Sequence, residues 1–394
     1  HTRDIPGLNW RMSPAERTLA DEFNEGGYHT AYIGKWHLEG CRPVDPIPRS
    51  RQGRWQKWLG FELRNSHFDT FYFEDDDPSP KPLGKYQTDG LFDLAIDHIA
   101  DGRPKDKPFL CLLSVEPPHF PYEAPEQYER RWRERDIELP PSFETQPEYE
   151  IPLSSWDGDD THTAQIKKER VRTYYAMIEN LDDNVGRMME FLKEEGLADN
   201  TVVLLVSDHG EMGGMHKLPT AMKNYPFEES VGIPLIIRDP RLAALSGRRT
   251  GEPVNTEDLF PTICGLVGLK PKNALPGEDL TPLIEGSVDQ LDRNGVLLEF
   301  VRDFRDKAAF YKRSYRAFRS RRYMYSVLDG KPWQFFDLEK DPHEMNNLVD
   351  SEAHKVVIGR HHKWLREKLI ETDDHFHLQP AFGQPGLNLP QEPR

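Results

Sequence analysis

The sequence predicts an α/β protein: a doubly wound, mostly parallel sheet flanked by helices, followed by a smaller C-terminal α+β domain. Three observations predict it. The strand-length runs 108–115 and 202–206 are apolar at nearly every position, as strands covered on both faces are. Helical periods separate successive runs, so strand, helix, strand, helix, strand follow one another. Beyond about residue 290 the long runs give way to short alternating ones.

The elements follow in order. Ser13-Pro14-Ala15-Glu16 reads as a helix start, with Ser13 as cap, Pro14 in the first turn and Glu16 closing a capping box. Leu19, Ala20 and Phe23 supply its apolar stripe, and Gly26-Gly27 end it. Residues 28–33 form a short strand that ends in Gly34-Lys35-Trp36-His37. Residues 41–87 are rich in Pro, Arg and Asp and are expected to be surface loop with little regular structure. A helix over 88–100 places Leu91, Leu94, Ala95 and Ile99 on one side. The strand 108–115 ends in Glu116-Pro117-Pro118-His119-Phe120-Pro121, and 122–163 is a second long Pro- and Glu-rich excursion. Over 165–195 one long helix keeps its period through Val171, Tyr174, Ile178, Leu181, Val185, Met188 and Leu192. The strand 201–206 runs into Ser207-Asp208-His209-Gly210-Glu211. A further strand is expected over 233–237 and a helix over 256–268. Short antiparallel strands are expected at 296–300, 315–318, 323–327 and 333–336, with a last helix over 354–372. The chain thus divides into an α/β domain over 1–288, a C-terminal domain over 289–377 and an irregular tail over 378–394.

Composition narrows the function. The 394 residues carry 51 Lys+Arg against 67 Asp+Glu, a net charge of −16. Nucleic acid and anionic membrane both require a basic face, so neither is expected as a partner. A local basic pocket for a small anion is compatible with this balance. The three cysteines, Cys41, Cys111 and Cys264, cannot build a disulfide framework; Cys111 and Cys264 lie in apolar surroundings and read as core thiols. No run reaches the ~18 apolar residues of a membrane helix. The chain opens His1-Thr2-Arg3, with neither Met nor a signal-peptide pattern, and the expectation is that the N-terminal segment, with any targeting information, lies outside it.

In open α/β sheets, ligands bind beyond the carboxyl ends of the strands. Three predicted strands end in reactive groups: Lys35 and His37, then His119, then Asp208 and His209. Parallel strands would bring these to one rim, joining a metal-binding pair to groups suited to a tetrahedral oxyanion. Each group alone has an ordinary explanation, as a surface lysine, a loop histidine or a polar turn. Their convergence is what points to a site.

Gly34-Lys35-Trp36-His37-Leu38 and Ser207-Asp208-His209-Gly210-Glu211-Met212 resemble the sulfatase family of the alkaline-phosphatase superfamily. Pro118-His119-Phe120-Pro121, Tyr174-Tyr175-Ala176, Met222-Lys223 with Phe227-Glu228-Glu229-Ser230, and Asp258-Leu259-Phe260-Pro261-Thr262 agree in the family's order. So does Phe336-Asp337-Leu338-Glu339-Lys340-Asp341-Pro342 with Glu344 and Asn347-Leu348. The resemblance implies an alkaline-phosphatase-like fold and hydrolysis of a small-molecule or carbohydrate sulfate ester. It implies metal ligation by Asp208 and His209, and catalysis or sulfate binding by Lys35, His37, His119 and Lys223. His216 is a candidate substrate contact, or a solvent-facing loop histidine. The implied cofactor is a divalent metal, Ca2+ first, with Mg2+, Mn2+ or Zn2+ as alternatives.

The family's nucleophile is a formylglycine made from Cys or Ser in a Cys/Ser-x-Pro-x-Arg motif, and an early Asp-Asp pair completes its metal site. Neither occurs in these residues: Cys41-Arg42-Pro43-Val44-Asp45 lacks the Arg, and Ser13-Pro14-Ala15-Glu16-Arg17 has the wrong spacing. The expectation is therefore a sulfatase whose 394 residues do not turn over substrate by the family mechanism on their own. Two other readings stand beside it: a phosphodiesterase or phosphonate monoester hydrolase of the same superfamily, and a non-catalytic binder of sulfated ligands.

Overall fold

His29–Lys35 (β1) is the strand on which the main sheet is laid out. It runs parallel to Lys57–Phe61 (β2) on one side and to Phe109–Ser114 (β5) on the other. Phe71–Glu74 (β3) and Asp77–Pro82 (β4) extend the β2 side antiparallel, giving the order β4-β3-β2-β1-β5. This computed structural model describes residues 11–40, 44–144, 151, 164–301 and 313–388. Cys41-Arg42-Pro43, His1-Thr2-Arg3, much of the second excursion and the last six residues lie outside them.

Both faces of the sheet are covered, and the two-residue repeat of the strands decides which side chain goes where. Tyr32, Trp58, Leu110 and Leu112 pack on one face with Trp36, Trp55 and Ala20 of Leu19–Glu25 (α1). Ile33, Leu59, Phe61, Cys111 and Leu113 pack on the other. There they meet Leu91 and Ala95 of Gln87–Asp97 (α2) and Met188 of the long helix Ala164–Glu194 (α5). Glu126–Arg133 (α3) lies along α5, with the Trp132 indole N–H donating to Glu179 at 2.6 Å, and Pro141–Glu144 (α4) follows.

Three local expectations give way. Residues 41–87 contain β2, β3 and β4: β2 is only five residues long amid Arg, Gln and Pro, and fully buried Trp58 anchors it. The first helix begins at Leu19, not beside Ser13. The Asp21 carboxylate accepts the Thr18 N–H at 2.7 Å, closing the helix start there, while residues 13–16 make only a turn. The third apolar run, Val203–Val206 (β6), pairs antiparallel with Leu235–Arg238 (β7) in a separate ribbon. Val206 and Ile236 are 41% and 61% exposed, so that ribbon is not covered on all sides. The fold class holds: a mixed parallel and antiparallel sheet flanked by helices, with a sheet domain behind it.

The chain continues through Glu228–Val231 (α6), Leu259–Leu266 (α7) and Thr281–Ile284 (α8). Val296–Phe300 (β8), Tyr315–Arg319 (β9), Tyr323–Leu328 (β10) and Lys331–Asp337 (β11) then form an antiparallel sheet in the order β11-β10-β9-β8. Lys355–Glu371 (α9) covers one face, its Ile358, Leu365 and Leu369 meeting Phe318, Tyr325 and Phe335. The opposite face, through Tyr315, Ala317, Met324 and Phe336, packs on Met212, Leu218, Met222, Tyr225 and Phe227. In the tail, Leu378 and Leu387 exchange backbone hydrogen bonds of 2.9 and 2.8 Å. No helix among the described residues is long and apolar enough to cross a membrane.

Gly34 sets the β1–β5 join. Its φ is +112°, and a Cβ there would lie 1.9 Å from the Ser114 carbonyl oxygen. Gly34→Ala should therefore lower stability by at least about 2 kcal/mol, read as the shift of the denaturant midpoint at unchanged slope.

Candidate active site

β1 and β5 are parallel with Gly34 opposite Ser114, so the residues that follow each strand emerge on the same rim. Lys35 closes β1, and its ammonium lies 3.3 Å from the carboxylate of Glu116, which follows β5. Glu116 is buried and further held by the Gln87 amide and the Asn65 N–H, each at 3.1 Å. Burial by itself would raise the Glu116 pKa, but Lys35 and these donors hold it below the usual carboxylate range. His37 sits just beyond, in left-handed backbone at φ +55°, its N–H donating to the Glu62 carbonyl at 3.0 Å.

Each imidazole has a defined environment. His119 donates from Nδ1 to the Phe120 carbonyl at 2.7 Å, which leaves Nε2 as the nitrogen with the lone pair. Its own carbonyl accepts a 2.8 Å bond from Nε2 of buried His67. His209 follows the same rule: Nδ1 donates to the Gly210 carbonyl at 2.8 Å, and Nε2 lies 3.5 Å from the Asp208 carboxylate. That tautomer leaves Nε2 free to ligate a cation beside Asp208. Gly210 is required at the turn, because a Cβ there would lie 2.1 Å from the Glu229 carbonyl oxygen.

Electrostatics tie the rim together. Burial, then Lys35, push His37 down to about 4, with Glu116 and Asp208 opposing and Lys223 adding to the effect. Burial, then Lys223 and Lys35, push His119 down to about 4 as well. His209 is lowered by burial, and Asp208 opposes the shift. Lys223 is lowered by burial, with Glu211 and Asp208 opposing and Lys35 repelling. Lys35, Lys223 and Asp208 thus act electrostatically on the imidazoles, although β6 is not paired to the main sheet. Both pocket imidazoles are neutral at pH 7 before an anion arrives, so they are not resting imidazolium donors.

Two carboxylates of the site went unassigned in the sequence. Glu116 anchors Lys35, and Glu211, whose pKa burial raises, faces Lys223 and Asp208. Each stands within a motif already singled out; the signal for Glu116 was a carboxylate one residue past the strand that flanks Lys35. His216 packs in a different environment. It is buried, stacked on Phe227 with ring centroids 3.9 Å apart, and its Nε2 is 3.5 Å from Glu229. A solvent-facing histidine does not fit that burial.

The ends of β1, β5 and β6 thus carry lysine, imidazole and an Asp-His pair, the residue types a hydrolase of anionic esters needs, in an α/β fold that places ligands at strand ends. The sulfatase family model matches residues 6–269, and a model for the C-terminal part of N-sulphoglucosamine sulphohydrolase matches residues 220–372. An ulvan-active sulfatase of Formosa agariphila is 30% identical over 94% of this chain and 69% of its own length. An endo-4-O-sulfatase of Bacteroides thetaiotaomicron is 27% identical over 92% of this chain and 74% of its own. Among solved structures, a Bacteroides fragilis protein assigned to the sulfatases superimposes with a TM-score of 0.77 at 26% identity, covering 93% of this chain and 79% of that one. The phosphonate monoester hydrolase of Agrobacterium radiobacter shares the fold, with a TM-score of 0.71 at 22% identity over 97% and 86% of the two chains. The chain belongs to the sulfatase family, hydrolases that act on sulfuric esters.

Removing Glu116 strands a part-buried ammonium. Glu116→Ala should cost about 2–4 kcal/mol of stability, with Glu116→Gln costing less because it keeps the packing; urea unfolding of the two variants measures both.

Proposed function

We propose that Lys35, His37, His119 and Lys223 bind and activate a carbohydrate sulfate monoester, with Asp208 and His209 contributing to a divalent metal site beside it. The observation that carries this reading is that Lys35 and Lys223 both act on His37, His119 and His209 at one rim of an otherwise acidic chain. A sulfate ester spreads negative charge over its nonbridging oxygens, and charge grows on the leaving oxygen as the S–O bond breaks. Lys35, held by Glu116, supplies a fixed positive charge for the first; Lys223 and His119 face the second. His119 holds its lone pair at Nε2, so it takes up a proton as the anion binds and can then pass it to the departing alcohol. His37 orients the hydroxyl of the nucleophile.

The metal assignment is limited by donor count. Asp208 and His209 offer one carboxylate and one imidazole, whereas Ca2+ takes roughly 6–8 oxygen ligands. The pair is a half-site among the described residues. When bound there, a divalent metal would add positive charge at the sulfuryl oxygens. We favour Ca2+ over Mg2+, Mn2+ and Zn2+ on the family resemblance. The carbohydrate is suggested by relatives named for ulvan and for an endo-acting 4-O-sulfatase.

The test is side-by-side hydrolysis of an aryl sulfate, a sulfated oligosaccharide and an aryl phosphonate by the protein as its native host makes it. Sulfate turnover should exceed phosphonate turnover, and Lys223→Ala should lower kcat/KM by about 100-fold or more. Phosphonate turnover alone would move the assignment to the phosphonate hydrolases, whose fold is shared. The 394 residues alone should bind inorganic sulfate without hydrolysing esters, since they contain no formylglycine motif.

Proton uptake gives a pH signature. His119 is pushed down to about 4 in the free protein, and a bound anion raises it. Sulfate affinity should therefore strengthen as pH falls from about 6.5, the ordinary histidine value, toward 4. Calorimetry in two buffers of different ionisation enthalpy should register the proton taken up; equal heats in both would contradict a histidine that protonates on binding.

A further inference from the structure

A second cluster of metal-ligating side chains lies in the layer where the C-terminal sheet meets the segment after β6. His216 comes from that segment, Glu229 from α6 and Glu344 from the stretch following β11. One ligand atom from each lies within 4.8 Å of the other two. His216 and Glu344 have fully buried side chains, and Glu229 is largely covered, at 16% side-chain exposure.

The hydrogen bonds around the cluster leave its centre bare. The Glu228 N–H donates to Glu344 Oε2 at 2.7 Å, and the Ser142 hydroxyl donates to Glu229 Oε1 at 3.2 Å. Each bond holds one carboxylate oxygen and turns the other inward. Among the described residues, Glu344 Oε1, Glu229 Oε2 and both ring nitrogens of His216 have no hydrogen-bond partner. Arg319, the neighbouring cation, is taken up by Glu228 at 2.9 Å. Two buried carboxylates facing one centre repel strongly unless something positive sits between them.

We propose that His216, Glu229 and Glu344 form a structural binding site for a divalent transition-metal cation of the Zn2+ class. Imidazole and carboxylate donors sit about 2.0–2.2 Å from Zn2+, which puts adjacent ligands of a tetrahedral ion about 3.4 Å apart. The His216–Glu229 separation of 3.5 Å matches that spacing and exceeds a good hydrogen bond. A dication with two carboxylates and a neutral imidazole sums to zero charge, which is the condition for burying the set. The three ligands come from parts of the chain far apart in sequence, so the ion would tie the C-terminal sheet to the segment that carries Lys223. This inference does not depend on the proposed reaction.

The experiment uses the Asp208→Asn variant of the full chain, to remove binding at the strand-end pair. After chelator treatment, Zn2+ is added alone and the bound metal is counted by mass spectrometry after gel filtration, with the unfolding temperature measured in parallel. One equivalent should remain bound and raise the midpoint. The added change Glu344→Gln, or Glu229→Gln should the first fail to fold, should abolish both. The proposal is overturned if Asp208→Asn binds no Zn2+, or if the double variants bind as much as the single one. A pair of carboxylates that merely shares a proton would give the first of these results.

Discussion

The ion pair between Lys35 and Glu116 makes the rest of the site possible. The rim gathers two ammonium groups and three imidazoles; each ammonium disfavours charge on the imidazoles, and burial makes every charge more costly. One buried carboxylate pairs with Lys35 at 3.3 Å, while burial, and after it the lysines, keep His37 and His119 neutral. On the proposed reading, positive charge is in place before an anion enters and the imidazoles gain theirs with it, so that binding and proton uptake are one event.

That arrangement relies on the backbone as much as on charge. Glu116 can reach Lys35 because β1 and β5 are parallel and in register, and the register needs a glycine at position 34. On the other side of the pocket, the segment from Met212 to Phe227 carries Lys223 with little secondary structure of its own. Packing holds it in place: Met212, Met222, Tyr225 and Phe227 are buried against the C-terminal sheet. Gly210 and Met212 also hydrogen-bond to Ser230 and Met222 across its base. The smaller sheet is therefore part of the active-site support, although its own chain lies remote from the chemistry.

Most of the candidate site was legible because Lys35, His119 and Asp208 stand at or just past the ends of strand-length runs, and in such folds strand ends are where ligands bind. The supporting groups were less legible. Glu116 and Glu211 are ordinary carboxylates until burial and a neighbouring lysine give them a role. Of the two readings open for His216, burial excludes the solvent-facing one: a histidine in a glycine-rich loop looks exposed until a separate sheet covers it. Strand β2 was lost in a polar stretch because five residues carry too little pattern, and Trp58 acquires its meaning only from the neighbours that bury it.

The amino-acid sequence alone determined the fold class, the order of the long elements and the four C-terminal strands, and it offered the candidate site residues. All of these are written in local periodicity and in residue type at strand ends. Tertiary structure decided which strands pair, that β6 joins β7 and not β5, and which carboxylates hold the lysines. It alone brought His216, Glu229 and Glu344 together. Pairing and burial are sums over contacts between distant segments, and no local window of the chain contains both partners of such a contact.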